Sequence, residues 1–405
     1  MGPNGPSKGY LHNLVELSQT QTLEDNLTTS MRAVGLAAYA HSAQAPSLLQ
    51  NARYQYIKAI QLTNAALRSP EDATKDSTLM AIQVLGIFET ITGCKQRSFK
   101  DWSEHLFGAA AVIKLRGPNQ INTRSGRHML IQLTSSLMIV CLQAGKRLPK
   151  HIREYMKAAV AIFPVPEASL KLQECMMLYT ELSADICEGI LKDPEVIISK
   201  VLELDGVLLD IETNVPLGWE FETIYTDVDS DFVYKGRYHV YYDHWVAQMW
   251  NALRTLRVML NERVRDLLLE GFSSKPPRFT QAENVAQFQL STETLYRLQD
   301  DILLSVFQHM GRGRPISKDA TLSRRETEET TPVPMSGGAF LMWPLWFVGV
   351  LDISTPETRA FVIKNLHNIA DILGIQQARA MVKSVETQSE IKPLTDGQVF
   401  IHSGE

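Results

Sequence analysis

Apolar residues recur at steps of three and four along nearly the whole chain, the spacing that gathers them on one face of an α-helix. Between Leu23 and Leu67 this pattern breaks only at short interruptions such as Ala45-Pro46-Ser47. Start signals punctuate it. Ser69-Pro70-Glu71-Asp72 places a capping serine before a proline at the first helical position, with acids in the first turn. Asp193-Pro194-Glu195 and Thr355-Pro356-Glu357 repeat the grammar, and Ser98-Phe99-Lys100-Asp101 opens a helix without proline. Stops are expected at Gly93, Gly117-Pro118, Gly145, Gly271 and Gly374. The signals predict helices near 22–44, 46–68, 70–92, 99–116, 124–144, 149–162, 167–190, 194–212, 237–270, 279–311, 337–351, 356–373 and 375–388. Period-two alternation is scarce, so no sheet is expected. The predicted class is all-α: a single large multi-helix domain of about a dozen antiparallel-packed helices.

Two stretches interrupt the helices. Residues 213–236 carry Trp219, Phe221, Tyr225, Phe232 and Tyr234 among acids, which predicts an ordered loop packed on the body. Residues 312–335 are polar, charged and almost free of large apolar side chains, which predicts a mobile surface loop. Helical pattern continues on both sides of each stretch, so one helical domain over 20–390 is expected, with a flexible N-terminal tail over 1–19 and a C-terminal tail over 391–405.

Composition adds exclusions. The 405 residues are 44% hydrophobic and 21% charged, enough for a sizeable core and unlike a disordered or fibrous chain. Forty Lys and Arg against 45 Asp and Glu give −5, without the basic excess of a nucleic-acid binder. Cys94, Cys141, Cys175 and Cys187 form no CxxC pair, so they read as free, buried thiols in a reducing compartment. No metal site and no cofactor is expected. Neither a membrane span nor the apolar core of a secretion signal is visible, which predicts a chain that is neither membrane-bound nor secreted.

The common catalytic and phosphate-binding motifs are absent, and Gly311-Arg-Gly313-Arg314 lies in the polar stretch rather than between a strand and a helix. His239 and Asp243 stand four apart on the helix predicted from 237, with His244 turned away from them; two ligands on one face make a weak metal site. His105 neighbours Glu104 near the start of its helix, and Glu181, Asp185 and Glu188 share one face. For each of these, packing or a solvated face is the plainer reading. Segment 237–268 carries a stripe of Tyr241, Trp245, Met249, Leu253, Leu256, Leu260, Val264 and Leu267, with Asn251, Arg254 and Arg257 set against it. Buried arginines are costly unless paired, so these are expected to anchor the helix to acids elsewhere. A second dense segment, 337–347, holds Trp343, Pro344, Trp346 and Phe347. Core packing and the wall of an aromatic cavity both fit these two segments.

Together the pieces resemble the helical regulatory (middle homology) region of fungal Zn2Cys6 binuclear zinc-cluster transcription factors, over about residues 20–390. They are Leu48–Arg53 (LLQNAR) with Tyr56; the segment 76–89; Trp102-Ser-Glu-His105 leading into Gly108 and Leu115-Arg-Gly117; and Trp219. Then follow Tyr238-His239, Tyr242-Asp243-His244-Trp245, Trp250-Asn251, Arg254 and Arg257. Gly337-Gly338, Trp343-Pro344-Leu345, Arg359, Leu366, Gly374-Ile375 and Gln377-Ala378 complete the series. The six-cysteine zinc cluster of such factors does not occur in this sequence, so their DNA-contacting residues map onto no position here. A truncated regulatory region and a family member that has lost its DNA-binding module both fit.

The resemblance implies a regulatory domain that senses a ligand or binds a partner, controlling a metabolic or secondary-metabolite gene set without itself touching DNA. Nuclear localisation, with the cytoplasm as alternative, and a homodimer belong to the same expectation. The small organic effector would sit among Trp219, Tyr238, Tyr242, Trp245, Trp343 and Trp346, with Arg254 holding an acidic group. The alternative is a repurposed scaffold acting as a cofactor-independent cyclase or isomerase in secondary metabolism, with His239, Asp243, His244 or His105 as acid or base. A helical scaffold that recruits other proteins is a third reading.

Overall fold

A computed structural model describes residues 24–94, 97–162, 167–310 and 335–387. The tails expected over 1–19 and 391–405, and the loop expected over 312–335 apart from its last residue, lie outside the described residues; so does Gly311 to Arg314.

Helices dominate, as the periodicity predicts. Helices α1 (Asp25–Ser42) and α2 (Pro46–Arg68) pack on each other and on α4 (Asp76–Thr92). The helix expected over 70–92 is broken into a single turn, α3 (Pro70–Ala73), and α4, because Lys75 is extended and the Thr78 hydroxyl donates to the Asp72 carbonyl at 2.7 Å. There follow α5 (Arg97–Arg116), a 3-10 turn (Pro118–Asn122), α6 (Arg124–Ala144), α7 (Lys150–Ile162), α8 (Glu167–Cys187) and α9 (Pro194–Thr213). The second half holds α10 (His244–Ser273), α11 (Ala282–Leu304), the single turn α12 (Val306–His309), α13 (Met335–Val350), α14 (Pro356–Ile372) and α15 (Gln377–Thr387). Gly145 closes α6 in the left-handed conformation at φ 58°, as a glycine stop should. Gly271 does not stop α10, which runs two residues further.

The expectation of no sheet also fails. Phe221–Tyr225 (β1) and Arg237–Tyr241 (β2) pair antiparallel, Phe221 opposite Tyr241 and Tyr225 opposite Arg237. Lys235 and Gly236 both take positive φ and turn the chain between them. The helix predicted from 237 therefore starts at His244, where the Asp243 carboxylate accepts the Val246 N–H at 2.8 Å. Tyr and Val in segment 237–241 suit a strand as well as a helical stripe, and the cap at Asp243, six residues into the predicted helix, decides between them. The segment 213–236 is ordered and packed, as expected: Trp219, Phe232 and Tyr234 are buried.

The apolar core is carried by three large groups. One fills the space among α4, α5, α6 and α7 around Leu79, Leu106 and Leu133. A second joins α8 and α9 to α10 around Trp250, Leu256 and Leu260. The third gathers α11 to α15 around Leu303, Leu345 and Leu366. Gly337 and Gly338 let α13 into that third group: a Cβ at Gly337 would fall 2.1 Å from the His309 carbonyl oxygen, and one at Gly338 2.3 Å from Leu373. Close helix approach is thus the physical reason for the Gly-Gly pair.

The three caps predicted before a proline are present, whereas Ser98 lies inside a helix that starts at Arg97. Thr355 Oγ1 accepts the Thr358 N–H at 3.2 Å and Asp193 accepts from Glu195 at 3.0 Å. Thr355→Ala is expected to lower the unfolding free energy by about 1 kcal/mol, and Thr355→Asp to retain most of it, as read from urea midpoints.

Candidate functional site

Residues 250, 251, 254 and 257 of α10 fall within one broad face, and the β hairpin closes over its first turns. Trp250 Nε1 donates to the Trp219 carbonyl at 2.7 Å and so ties the hairpin arm to the helix. Phe221 then lies against Trp250 (ring centroids 5.1 Å), Tyr241 (5.2 Å) and His239 (4.5 Å), while Trp219 meets Trp245 edge-on at 5.7 Å. The guanidinium of Arg254 occupies the middle of this ring cage, 5.0 Å from the Trp250 ring, 5.1 Å from Phe221 and 5.7 Å from Tyr241.

Arg254 has 0% exposure, and its in-chain partners do not use all its donors. Nη1 donates to the Tyr241 hydroxyl and to the Asp301 carbonyl at 3.3 Å. The nearest carboxylate oxygen, on Asp301, stands 3.9 Å from Nε, too far for a hydrogen bond. Nε and Nη2 have no hydrogen-bond partner among the described residues. Ring faces offset part of the cost of burying this cation, but unmet donors of a buried charge are expensive. Arg257, one turn along, shows the satisfied alternative: it is bidentate to Asp205 at 2.7 and 2.9 Å and also bonded to Glu212. Burial opposes the charge on Arg254, yet Tyr241, Asp301 and Glu212 outweigh it and keep the guanidinium protonated. Burial likewise raises Tyr241, so its hydroxyl remains a phenol.

The polar chemistry continues along α10. Asn251 Nδ2 donates to Ser305 Oγ at 2.8 Å and to His309 Nε2 at 3.0 Å, which requires His309 to be neutral. Burial, with His244 and Arg254 nearby, pushes His309 down to about 3. His239, bonded through Nδ1 to the Tyr241 hydroxyl at 3.0 Å, is pushed down to about 2 by burial and by Arg254 and Arg237. His244 is lowered mainly by burial, its ring 6.3 Å from that of His309.

The expected ligand residues divide between separate packed groups. Trp219, Trp245 and Arg254 come together in the cage just described. Tyr238 stacks on Phe307 at 4.0 Å, and Tyr242 is partly exposed. Trp343 and Trp346 belong to the third core group and not to the one around Trp250: Trp343 packs on Phe99 (5.8 Å) and Trp102 (6.2 Å), and Trp346 donates to Ser384 at 3.0 Å. Aromatic density in the sequence signals burial, but not which rings are neighbours. His239 and Asp243 share no helix face, since one is on β2 and the other caps α10. His105 instead meets the Tyr56 hydroxyl at 3.0 Å, and that hydroxyl also donates to Glu89. Glu181, Asp185 and Glu188 do share a face, and Arg147 bonds to all three. Of the four cysteines, expected buried, Cys141 and Cys175 are buried and Cys94 and Cys187 are exposed.

Asp301 and His309, which the sequence does not single out, complete the site, with Phe221 and Tyr241 paired across a hairpin instead of lying in a loop and on a helical stripe. Phe221 could have been found from the spacing of a hairpin; Asp301 and His309 lie some fifty residues from Arg254 and carry no local signal. Among the described residues, no group of three His, Cys, Asp or Glu is placed to hold a metal, and no helix is long and apolar enough to cross a membrane.

Residues 5–175 match the family model of the fungal specific transcription factor domain. The match covers 171 of the 405 residues and agrees with the resemblance read from the sequence; it supports a transcription-regulator-like role. The Arg254 cage lies beyond its C-terminal limit. No curated protein and no solved structure gives a significant match to the chain.

Proposed function

From the match over residues 5–175, we propose that the chain is the regulatory, effector-sensing part of a fungal transcription regulator that acts in the nucleus on a metabolic or secondary-metabolite gene set and does not contact DNA itself. The effector is a small organic acid. One observation carries this reading: a fully buried guanidinium with two unused donors, enclosed by Trp250, Phe221 and Tyr241. A carboxylate matches the planar fork of arginine, and rings beside it favour an unsaturated or aromatic body.

Asp301 stands at 3.9 Å in the place such a carboxylate would compete for, and it is itself held by Arg297 at 3.6 Å. An acid bound to Arg254 therefore displaces Asp301 electrostatically and reweights how the hairpin and α11 sit on α10. A ligand that favours one of two arrangements shifts their populations by its difference in affinity. The cyclase or isomerase alternative would need an acid or base in this region. The neutral, hydrogen-bonded states of His239 and His309 and the capping role of Asp243 favour the sensor reading over it.

The test is thermal denaturation of the chain with a panel of aromatic and unsaturated carboxylic acids and their methyl esters. At least one acid is expected to raise Tm while its ester does not, and Arg254→Met is expected to abolish the shift. No response to any acid, or an equal response in the folded Arg254→Met variant, contradicts the reading.

A further inference from the structure

The β hairpin has an edge that the sensor reading does not use. The sheet has two strands, and among the described residues none lies on the outer side of β1. Thr226 N–H donates to the Gly236 carbonyl at 2.9 Å, which marks the register pair 226–236 as hydrogen-bonded. Antiparallel ladders alternate, so the pairs at 224 and 222 also face β2, while the N–H and C=O groups of Phe221, Thr223 and Tyr225 point outward. Those are the groups to which a further strand attaches.

Three other features converge on this edge. It is rigid: Trp219 is tied to Trp250, Arg237 reaches Asp300 at 3.3 Å, Tyr234 meets Thr358 at 3.1 Å, and Asn365 donates to the Asp231 carbonyl at 2.9 Å. A preorganised edge does not lose chain entropy when a partner docks. Next, β1 and the residues flanking it in the chain display large apolar side chains to water: Leu217 is 83% exposed, Tyr225 75% and Val228 66%. Finally, it is acidic. Glu220, Glu222, Asp227 and Asp229 are exposed and have no ion pair among the described residues, whereas Asp231 is held by Lys364 at 2.6 Å. Between residues 213 and 236 these five acids face a single base, Lys235.

We propose that the outer edge of β1 docks an extended lysine- or arginine-rich segment of a partner protein, which adds as a third strand through the backbone of Thr223 and Tyr225 while its basic side chains meet Glu222, Asp227 and Asp229. Main-chain pairing supplies the attachment and the charges supply the selectivity. The acidic surface repels nucleic acid, so the partner is a protein. This proposal is independent of the Arg254 reading and stands or falls apart from it.

The test uses the full chain and a fluorescent, end-capped peptide alternating lysine and valine, followed by anisotropy and by amide hydrogen exchange. Binding is expected to slow exchange at the Thr223 and Tyr225 amides and to weaken with salt. The triple variant Glu222→Lys, Asp227→Lys, Asp229→Lys is expected to lose about tenfold in affinity. Thr223→Pro removes an outward N–H that the hairpin does not use and is expected to abolish docking; should it fail to fold, the same peptide methylated on alternate backbone nitrogens serves instead and is expected not to bind. The proposal is overturned if the lysine peptide does not bind, if a glutamate-for-lysine peptide binds equally, if the methylated peptide binds as well as its parent, or if the Thr223 and Tyr225 amides are already protected in the free chain.

Discussion

Replacing Arg257 by methionine is expected to lower the unfolding free energy by about 3–5 kcal/mol, a large part of the 5–15 kcal/mol that stabilises an ordinary domain. The side chain is almost wholly buried and joins α10 to α9 through Asp205 and Glu212. Arg297 shares Glu212, so the group is a small network and not a single pair. Removing the guanidinium leaves Asp205 with no cation and Glu212 with one, both in a poorly solvated crevice. Burial raises Glu212, but Arg297 and Arg257 together hold it below its ordinary value; without Arg257 it rises. Urea unfolding at neutral pH measures the loss. Adding Asp205→Leu to Arg257→Met is expected to restore part of it, because the uncompensated carboxylate and not the missing contact causes most of the cost. A loss below about 1 kcal/mol would mean that the pair behaves as an exposed one.

Acidification gives the second large effect. His239 and His309 are held neutral in the fold at about 2 and about 3, whereas in an unfolded chain they titrate near 6.5. Below pH 6.5 the unfolded chain takes up protons that the folded chain refuses. The stability tied to these groups is therefore complete above pH 6.5 and falls as pH drops through that value. Each imidazole costs about 2 kcal/mol by pH 5, together about 4 kcal/mol. His244, His105 and His41, also lowered chiefly by burial, act in the same direction. Asp301, Glu89 and Asp266, raised by burial, bind protons early in the fold and offset part of the loss. Urea unfolding at pH 8, 7, 6 and 5 should trace the decline, and His239→Gln and His309→Gln should each flatten it by up to about 1.4 kcal/mol per pH unit. An unchanged slope in both variants would show that these imidazoles take up protons in the fold as readily as in the unfolded chain.

Local chemistry was readable from the sequence, and long-range pairing was not. The caps at Ser69, Asp193 and Thr355 are present because a side-chain oxygen, a proline and an acid within four residues decide the matter on the spot. That Arg254 and Arg257 would be buried against polar partners also followed from their place beside an apolar stripe. Which acids they meet did not: Asp205 and Asp301 lie about fifty residues away on either side. The hairpin is hidden because Tyr241 continues the apolar stripe of α10 at helical spacing, and the competing signal, the capping side chain of Asp243, also fits a metal or acid candidate. Trp343 and Trp346 were grouped with Trp245 on ring density alone, yet the approach of α13 to α5 places Trp343 on Trp102 instead.

The central claim is that Arg254 anchors an acidic effector that the chain binds and does not transform. Its most direct test is incubation of the chain with a fungal metabolite extract, followed by mass spectrometry of the supernatant and of what the denatured protein releases. The account predicts retention of about one equivalent of an unchanged organic acid, and its absence from Arg254→Met. Disappearance of a compound far beyond one equivalent, or retention of the same ligand by Arg254→Met, would contradict it.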